Sequence, residues 1–284
     1  MLRGTEAPRA RRRTMPSLKQ QYHEYVLERI ETYKNSLGRS RILELGGEAA
    51  AEMQDTCEGQ FLLTEVLMQE AVDRLIAKRL KLPTFNRWKQ QYTKIRRAQR
   101  EPTHWRLEPD CALAALLPRI EREDHVLVVG AGMEPAAYLL AAYDTHLTFI
   151  AGDMGAVERV EQVLADEALA SMTECYVVQP GCWLPPFERP LDLVVIDAGC
   201  FTEVEPTACA LFLSQLQHVT TCGGVHVIMP GGRGLAPEAL LSAYDGWSRD
   251  NVAQTRRRGT ARKRAGVVLT RPDEQNGSEA AAGS

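Results

Sequence analysis

Five short apolar runs rich in β-branched residues constrain the fold of this chain more than any other feature. They are HVLVVG (125–130), HLTFIA (146–151), ECYVVQ (174–179), LDLVVID (191–197) and GVHVIM (224–229). They show no regular apolar–polar alternation, so each reads as a strand buried on both faces, the environment of a parallel sheet. Between them lie stretches such as EPAAYLLAAY and AVERVEQVLADEALA, which suit helices. Strand and helix in alternation predict an α/β fold, a doubly wound and mostly parallel sheet with helices on both faces. VAQTRR and AGVVLTR flank a short basic loop near the C-terminus and are expected to pair antiparallel at the sheet edge.

The N-terminal half has a different period. Leu18, Tyr22, Val26, Ile30 and Tyr33 form a 3.6-residue stripe, a second helix is expected from about Gly59 to Leu80, and FNRWKQQYTKIRRAQR makes a third that ends before Pro102. Four regions follow: a basic lead-in expected to be disordered (1–14), a helical cap beginning at Met15 (15–120), the sheet domain (121–272) and a polar tail (273–284). Residues 1–14 carry five arginines against one acid, and a solvated tail outweighs a nucleic-acid arm as their explanation.

With 44% hydrophobic and 25% charged residues, the chain has the profile of a soluble globular protein. No apolar run nears the roughly 20 residues of a membrane span, and MLRGTEAPRARRRT lacks the apolar core of a secretory signal. A cytoplasmic protein with no membrane partner is the expectation. Seven scattered cysteines read as reduced thiols; with no CxxC and no histidines at i, i+4, no metal site is expected. A net charge of -3 argues against a chain built mainly for nucleic acid. Between Lys78 and Arg100, however, nine basic residues and no acid are interleaved with Phe85, Trp88 and Tyr92. That segment suits either a phosphate backbone or anionic substrate, or simply a charged, wet helix face, which is the favoured reading.

Chemistry concentrates where the strands end. Gly130-Ala131-Gly132-Met133-Glu134-Pro135 joins the first strand to a helix; its glycines allow a tight turn and close approach of a ligand to the backbone, and the helix start offers free N–H groups. Asp153 follows the next strand, 23 residues beyond Gly130, where an acid either binds ribose hydroxyls or caps the next helix. LDLVVID delivers Asp197 to the ligand-side edge, where it can hold a cofactor's charged end, orient a nucleophile, act as general base, or only cap a loop. Trp183 and Phe201 follow on the same edge, each a core residue before it is a cation cage. His104 and Trp105, in the connection to the sheet, are candidates for the pocket or for linker packing.

With these residues in hand, the stretch from about 105 to 271 resembles the class I S-adenosylmethionine-dependent methyltransferases. VLVVGAG is similar to their first motif, FIAGDM to the second, ECYVVQPG to the third, LDLVVIDAG to the fourth and GGVHVIMPGG to the fifth strand with its glycines. The resemblance implies S-adenosyl-L-methionine as cofactor. It places Gly130, Ala131 and Gly132 at the methionine and ribose part, Asp153 and Met154 at the ribose, Gln179, Gly181 and Cys182 at the adenine, and Asp197 and Ala198 at the reacting end, with Asp197 the catalytic candidate. Two departures stand out: Val128 replaces the acid usual before the first glycine, and Glu134 replaces the third glycine and is the candidate substitute for that acid. A small-molecule methyl acceptor is expected. GAGMEP and the helical half are also loosely similar to nicotianamine-synthase-like enzymes, which transfer the aminobutyrate arm. A non-catalytic nucleoside-binding or interaction module is the reading from another class. A dehydrogenase is disfavoured, because the sheet consumes nearly all residues after His125 and leaves no catalytic domain.

Overall fold

A computed structural model describes residues 17–56, 65–169, 172–230, 235–250 and 266–273. The chain divides into two compact units, one up to Ile95 and one from Arg96 onward.

The first unit is helical throughout its described residues: α1 (Leu18–Asn35), α2 (Arg39–Thr56), α3 (Glu65–Arg79) and most of α4 (Phe85–Gln99). Ser17 opens α1 with a capping box in which its hydroxyl accepts from Gln20 N at 3.3 Å and its own N–H donates to Gln20 Oε1 at 2.6 Å. Ile30, Leu45, Leu75 and Ile76 form the core. A second, aromatic cluster joins α1 to α4: Trp88 stacks on Tyr92 with centroids 4.8 Å apart and meets Tyr22 at 5.4 Å, while Tyr22 Oη donates to Pro83 O at 2.9 Å. Helix α2 was not expected. Gly46 and Gly47 in its middle lower helix propensity and blur its stripe, and packing through Leu45 and Ala49 holds it instead. The expected helix from Gly59 is described from Glu65, its first residues lying outside the described set.

The second unit is a seven-stranded sheet of order β3-β2-β1-β4-β5-β7-β6. Its strands are β1 (His125–Val129), β2 (His146–Ala151), β3 (Thr173–Val177), β4 (Leu191–Asp197), β5 (Thr220–Met229), β6 (Ser248–Asp250) and β7 (Val267–Thr270). The first five run parallel. β7 lies antiparallel to β5 and β6 antiparallel to β7, so the expected closing pair forms, with its described first strand at 248–250; VAQTRR lies outside the described residues.

Both faces are covered, as the absence of regular alternation predicted. On one face Val126 and Val128 pack with Leu139 and Leu140 of α6 (Glu134–Ala141) and Val160 and Leu164 of α7 (Met154–Asp166). On the other, Leu127 and Val129 pack with Phe212 and Leu216 of α8 (Pro206–His218). The stretch after Arg96, grouped with the helical half from sequence, packs on the sheet: Trp105 and Leu113 of α5 (Ala112–Leu116) belong to the first layer.

Asp144, held at φ 63° after α6, collects Arg96, Arg100 and Arg122 at 3.7, 3.1 and 3.4 Å. Removing this acid leaves the mostly covered Arg96 guanidinium without its carboxylate. Asp144→Ala is therefore expected to destabilise the unit by about 1–3 kcal/mol, read as a lower midpoint in denaturant. An unchanged midpoint refutes that role.

Candidate functional site

The strand order reverses between β1 and β4, and at such a switch point the two following loops diverge and open a crevice at the carboxyl edge. Register places Val129 beside Ile196, so Gly130 and Asp197 emerge next to each other. Gly130 has φ 106° and ψ 144°, a conformation that L-residues rarely adopt. A short 3₁₀ turn (Ala131–Met133) then leads into α6 with Pro135 in its first turn, where a missing N–H costs nothing.

Asp197 lies across this turn. Its Oδ2 accepts from Gly132 N at 3.2 Å and its Oδ1 from Gly199 N at 2.8 Å, so it also caps the turn that begins at Ala198. A Cβ on Gly130 would sit 2.5 Å from Asp197 Cβ, and one on Gly132 would sit 2.5 Å from Asp197 Oδ2. The two glycines are thus required by the carboxylate itself, a contact that adds to the tight turn and ligand approach expected of them from sequence. Asp197 is 7% exposed, and no lysine or arginine among the described residues pairs with it. Burial pushes its carboxyl above the usual range, and the two amide donors only partly offset that.

A second group forms where β2 and β3 end. Val178 N donates to Ala151 O at 2.9 Å and prolongs the ladder, and the Gln179 side chain then lies over Gly152, where a Cβ would meet its Oε1 at 2.2 Å. Gly181, at φ 94°, packs against Val204, which follows β4. Cys182 is exposed and Trp183 half-exposed, the latter meeting Tyr176 edge-on at 6.4 Å.

The third group is joined by Arg159 of α7, which sequence reasoning missed because one arginine on an amphipathic helix carries no signal. Its guanidinium donates to Glu134 Oε1 from Nη2 at 2.6 Å and from Nε at 3.1 Å, and lies 3.7 Å from Asp153 Oδ2. Asp153 caps α7, its Oδ1 accepting from Gly155 N at 3.0 Å while its Oδ2 is the oxygen beside Arg159. Of the two readings of Asp153, capping is the one visible.

Other candidates sit elsewhere. Phe201 and Trp105 are core; Trp105 donates to Gln99 O at 2.6 Å and packs on Tyr138. His104 is exposed beside Trp105. Burial pushes the Cys175 thiol up to about 12 and raises that of Cys200, so neither is a ready nucleophile. Among the described residues no three His, Cys, Asp or Glu side chains gather to hold a metal, and no helix is long and apolar enough to cross a membrane. A cavity of about 250 Å³, lined in part by Arg119, Asp124 and Asp192, opens at the opposite, amino-terminal edge and contains none of the expected residues.

No protein-family model and no curated protein matches this sequence. Among similar solved structures is N-methyltransferase NodS from Bradyrhizobium japonicum WM9, at 13% identity and TM-score 0.42, covering 65% of this chain and 96% of that one. An rRNA methylase from Streptococcus thermophilus matches at 15% identity and TM-score 0.41, over 56% and 93% of the two chains. The CcbJ methyltransferase from Streptomyces caelestis matches at 13% and 0.37, over 42% of this chain; the chain thus spans 48% of that relative's length. Helices on both faces, five parallel strands and an antiparallel closing pair, in the order 3-2-1-4-5-7-6, give the C-terminal unit a Rossmann-like methyltransferase fold.

Proposed function

We propose that the C-terminal unit is an S-adenosylmethionine-dependent methyltransferase whose cofactor seats at the β1/β4 switch point. The observation that carries this is Asp197, a buried carboxylate at the ligand edge with two amide donors and no cation among the described residues. An unbalanced buried carboxylate is costly, and a cationic ligand end is the partner its surroundings lack. The residues therefore fit a sulfonium cofactor with an ammonium group. When bound, that cofactor supplies an activated methyl group.

The protein's share is binding and alignment. Asp197 holds the cationic end, and the Gly130–Gly132 turn keeps the backbone low beside it. Gln179 offers an amide over Gly152 for the adenine, and the Asp153 carboxylate serves the ribose, steadied with Glu134 by Arg159. Alignment of an acceptor with an activated carbon is worth about 7–11 kcal/mol where geometry is well held. Asp197 also stands as the base for an acceptor that must lose a proton.

Calorimetry tests the reading. The wild type is expected to bind S-adenosylmethionine and S-adenosylhomocysteine, and Asp197→Asn to bind about 10–100-fold more weakly, the loss of one charge-assisted contact. Because the folded carboxyl is raised, wild-type affinity is expected to fall on acidification as it protonates, and the Asn variant to lose that dependence. No binding of either ligand at millimolar concentration rejects the proposal. Labelled cofactor incubated with extract, followed by separation into small-molecule, RNA and protein pools, then identifies the acceptor. A mass gain of one methyl supports methyl transfer, and release of methylthioadenosine supports aminobutyrate transfer instead.

A further inference from the structure

The structure sorts the acid-free stretch between Lys78 and Arg100 into two kinds of cation. Four are neutralised: Lys78 lies 3.2 Å from Glu52, Arg79 pairs with Glu48, and Arg96 and Arg100 both reach Asp144. Lys81, Arg87, Lys89, Lys94 and Arg97 behave differently. All five are exposed, and none has a carboxylate within ion-pair distance among the described residues. Arg87 and Lys94 are two helical turns apart, about 10 Å along α4, with the exposed Gln91 between them on the same face. Arg97, one turn beyond Lys94, continues that face, whereas Lys89, two residues from Arg87, lies on the other side of the helix. A chain of net charge -3 thus keeps one helix surface purely positive and spends no acid to balance it.

The aromatic residues decide what such a surface recognises. Sequence alone allowed bases to stack on Phe85, Trp88 and Tyr92. These rings instead pack against one another and α1: Phe85 meets Tyr22 at 5.5 Å, and Trp88 is buried. No stacking platform remains beside the cations, so the face does not suit unstacked single strands. It does not suit a lipid surface either, because an interfacial helix turns its Trp and Phe outward whereas α4 turns them inward. What remains is a row of guanidinium, ammonium and amide donors, which matches phosphates held at regular spacing.

We propose that the outer face of α4, through Arg87, Lys94 and Arg97, binds the phosphate backbone of a duplex or folded nucleic acid without reading its sequence. The proposal stands apart from cofactor binding, because it is tested with no cofactor present. Fluorescence anisotropy of the full chain with labelled 20-base-pair RNA and DNA duplexes, measured across a salt series, reads it directly.

The wild type is expected to bind with an affinity that falls steeply with salt, and the Arg87→Gln/Lys94→Gln/Arg97→Gln variant to bind at least about tenfold more weakly at 0.1 M salt. Its salt slope is expected to be shallower by about two to three. The same three changes should leave the melting temperature unchanged, since all three side chains are exposed and have no ion-pair partner among the described residues. Arg41→Gln/Arg74→Gln, which removes exposed cations paired elsewhere on α2 and α3, should leave binding unchanged. Preference for RNA or DNA then names the physiological source of the phosphates. The proposal is overturned if the wild type binds neither duplex, if the triple variant binds as tightly as the wild type, or if the control pair weakens binding equally. Preferential binding of an unstructured strand, or of vesicles containing phosphatidylserine, overturns it too.

Discussion

Gly130→Ala is expected to lower the stability of the C-terminal unit by about 2–5 kcal/mol, the combined cost of a strained backbone and an overpacked contact. The residue sits at φ 106°, and its new methyl would lie 2.5 Å from Asp197 Cβ. Neither neighbour can yield, because Asp197 belongs to the central strand β4 and is tied to Gly132 and Gly199. The midpoint of thermal unfolding should fall by roughly 5–15 °C for a unit of this size. Gly132→Ala, with ordinary φ and a contact to a carboxylate oxygen rather than to Cβ, should cost less stability yet displace Asp197 and with it the proposed cofactor binding. A Gly130→Ala protein with wild-type stability would mean that the turn is not held by Asp197.

The second large effect concerns His226, which is fully buried in the middle of β5. Thr220 Oγ1 donates to Leu216 O at 2.7 Å, so it accepts from His226 Nε2–H at 2.8 Å, and His226 Nδ1 accepts from Tyr244 Oη at 2.8 Å. Both ring nitrogens are satisfied only in the neutral imidazole. Burial, with a smaller contribution from Arg271, lowers the pKa to about 3. The unfolded chain therefore binds a proton below about pH 6.5 that the folded chain refuses. Stability from this group is fully present above pH 6.5 and is lost as pH falls towards about 3, with a limiting slope of about 1.4 kcal/mol per pH unit. His226→Phe should be less stable at pH 7 by about 1–3 kcal/mol, because Thr220 and Tyr244 lose a partner, and should lose that slope. Urea titrations of both proteins at pH 7, 6, 5 and 4 measure it; parallel pH profiles would remove His226 as the source.

Much of the fold is legible because burial on both faces leaves a direct mark. HLTFIA and LDLVVID match β2 and β4 residue for residue, since a strand inside a parallel sheet has no solvent face on which to place polar residues. Strand β5 begins at Thr220, ahead of the expected Gly224, because its first residues pair with the start of β4 across a register shift that apolar patterning does not encode. In the site, the end-of-strand positions of Gly130, Asp153, Gln179 and Asp197 follow from counting strands. The contacts of Arg159, the cover that Gln179 places over Gly152, and the His226 network arise between residues remote in sequence, so no local pattern announces them. The aromatic residues of α4 show the converse: sequence displayed them beside cations, and only packing revealed that they face inward.

Strand β7 inserts between β5 and β6, though β5 and β6 precede it in the chain. During synthesis the edge of β5, with Val227 and Ile228 in its middle, therefore stays unpaired until Thr270 has left the ribosome. The nascent sheet exposes an apolar edge of the kind that recruits other strands. Chain release that stops short of residue 267 would yield an association-prone species, because only β7 closes that side of the ladder.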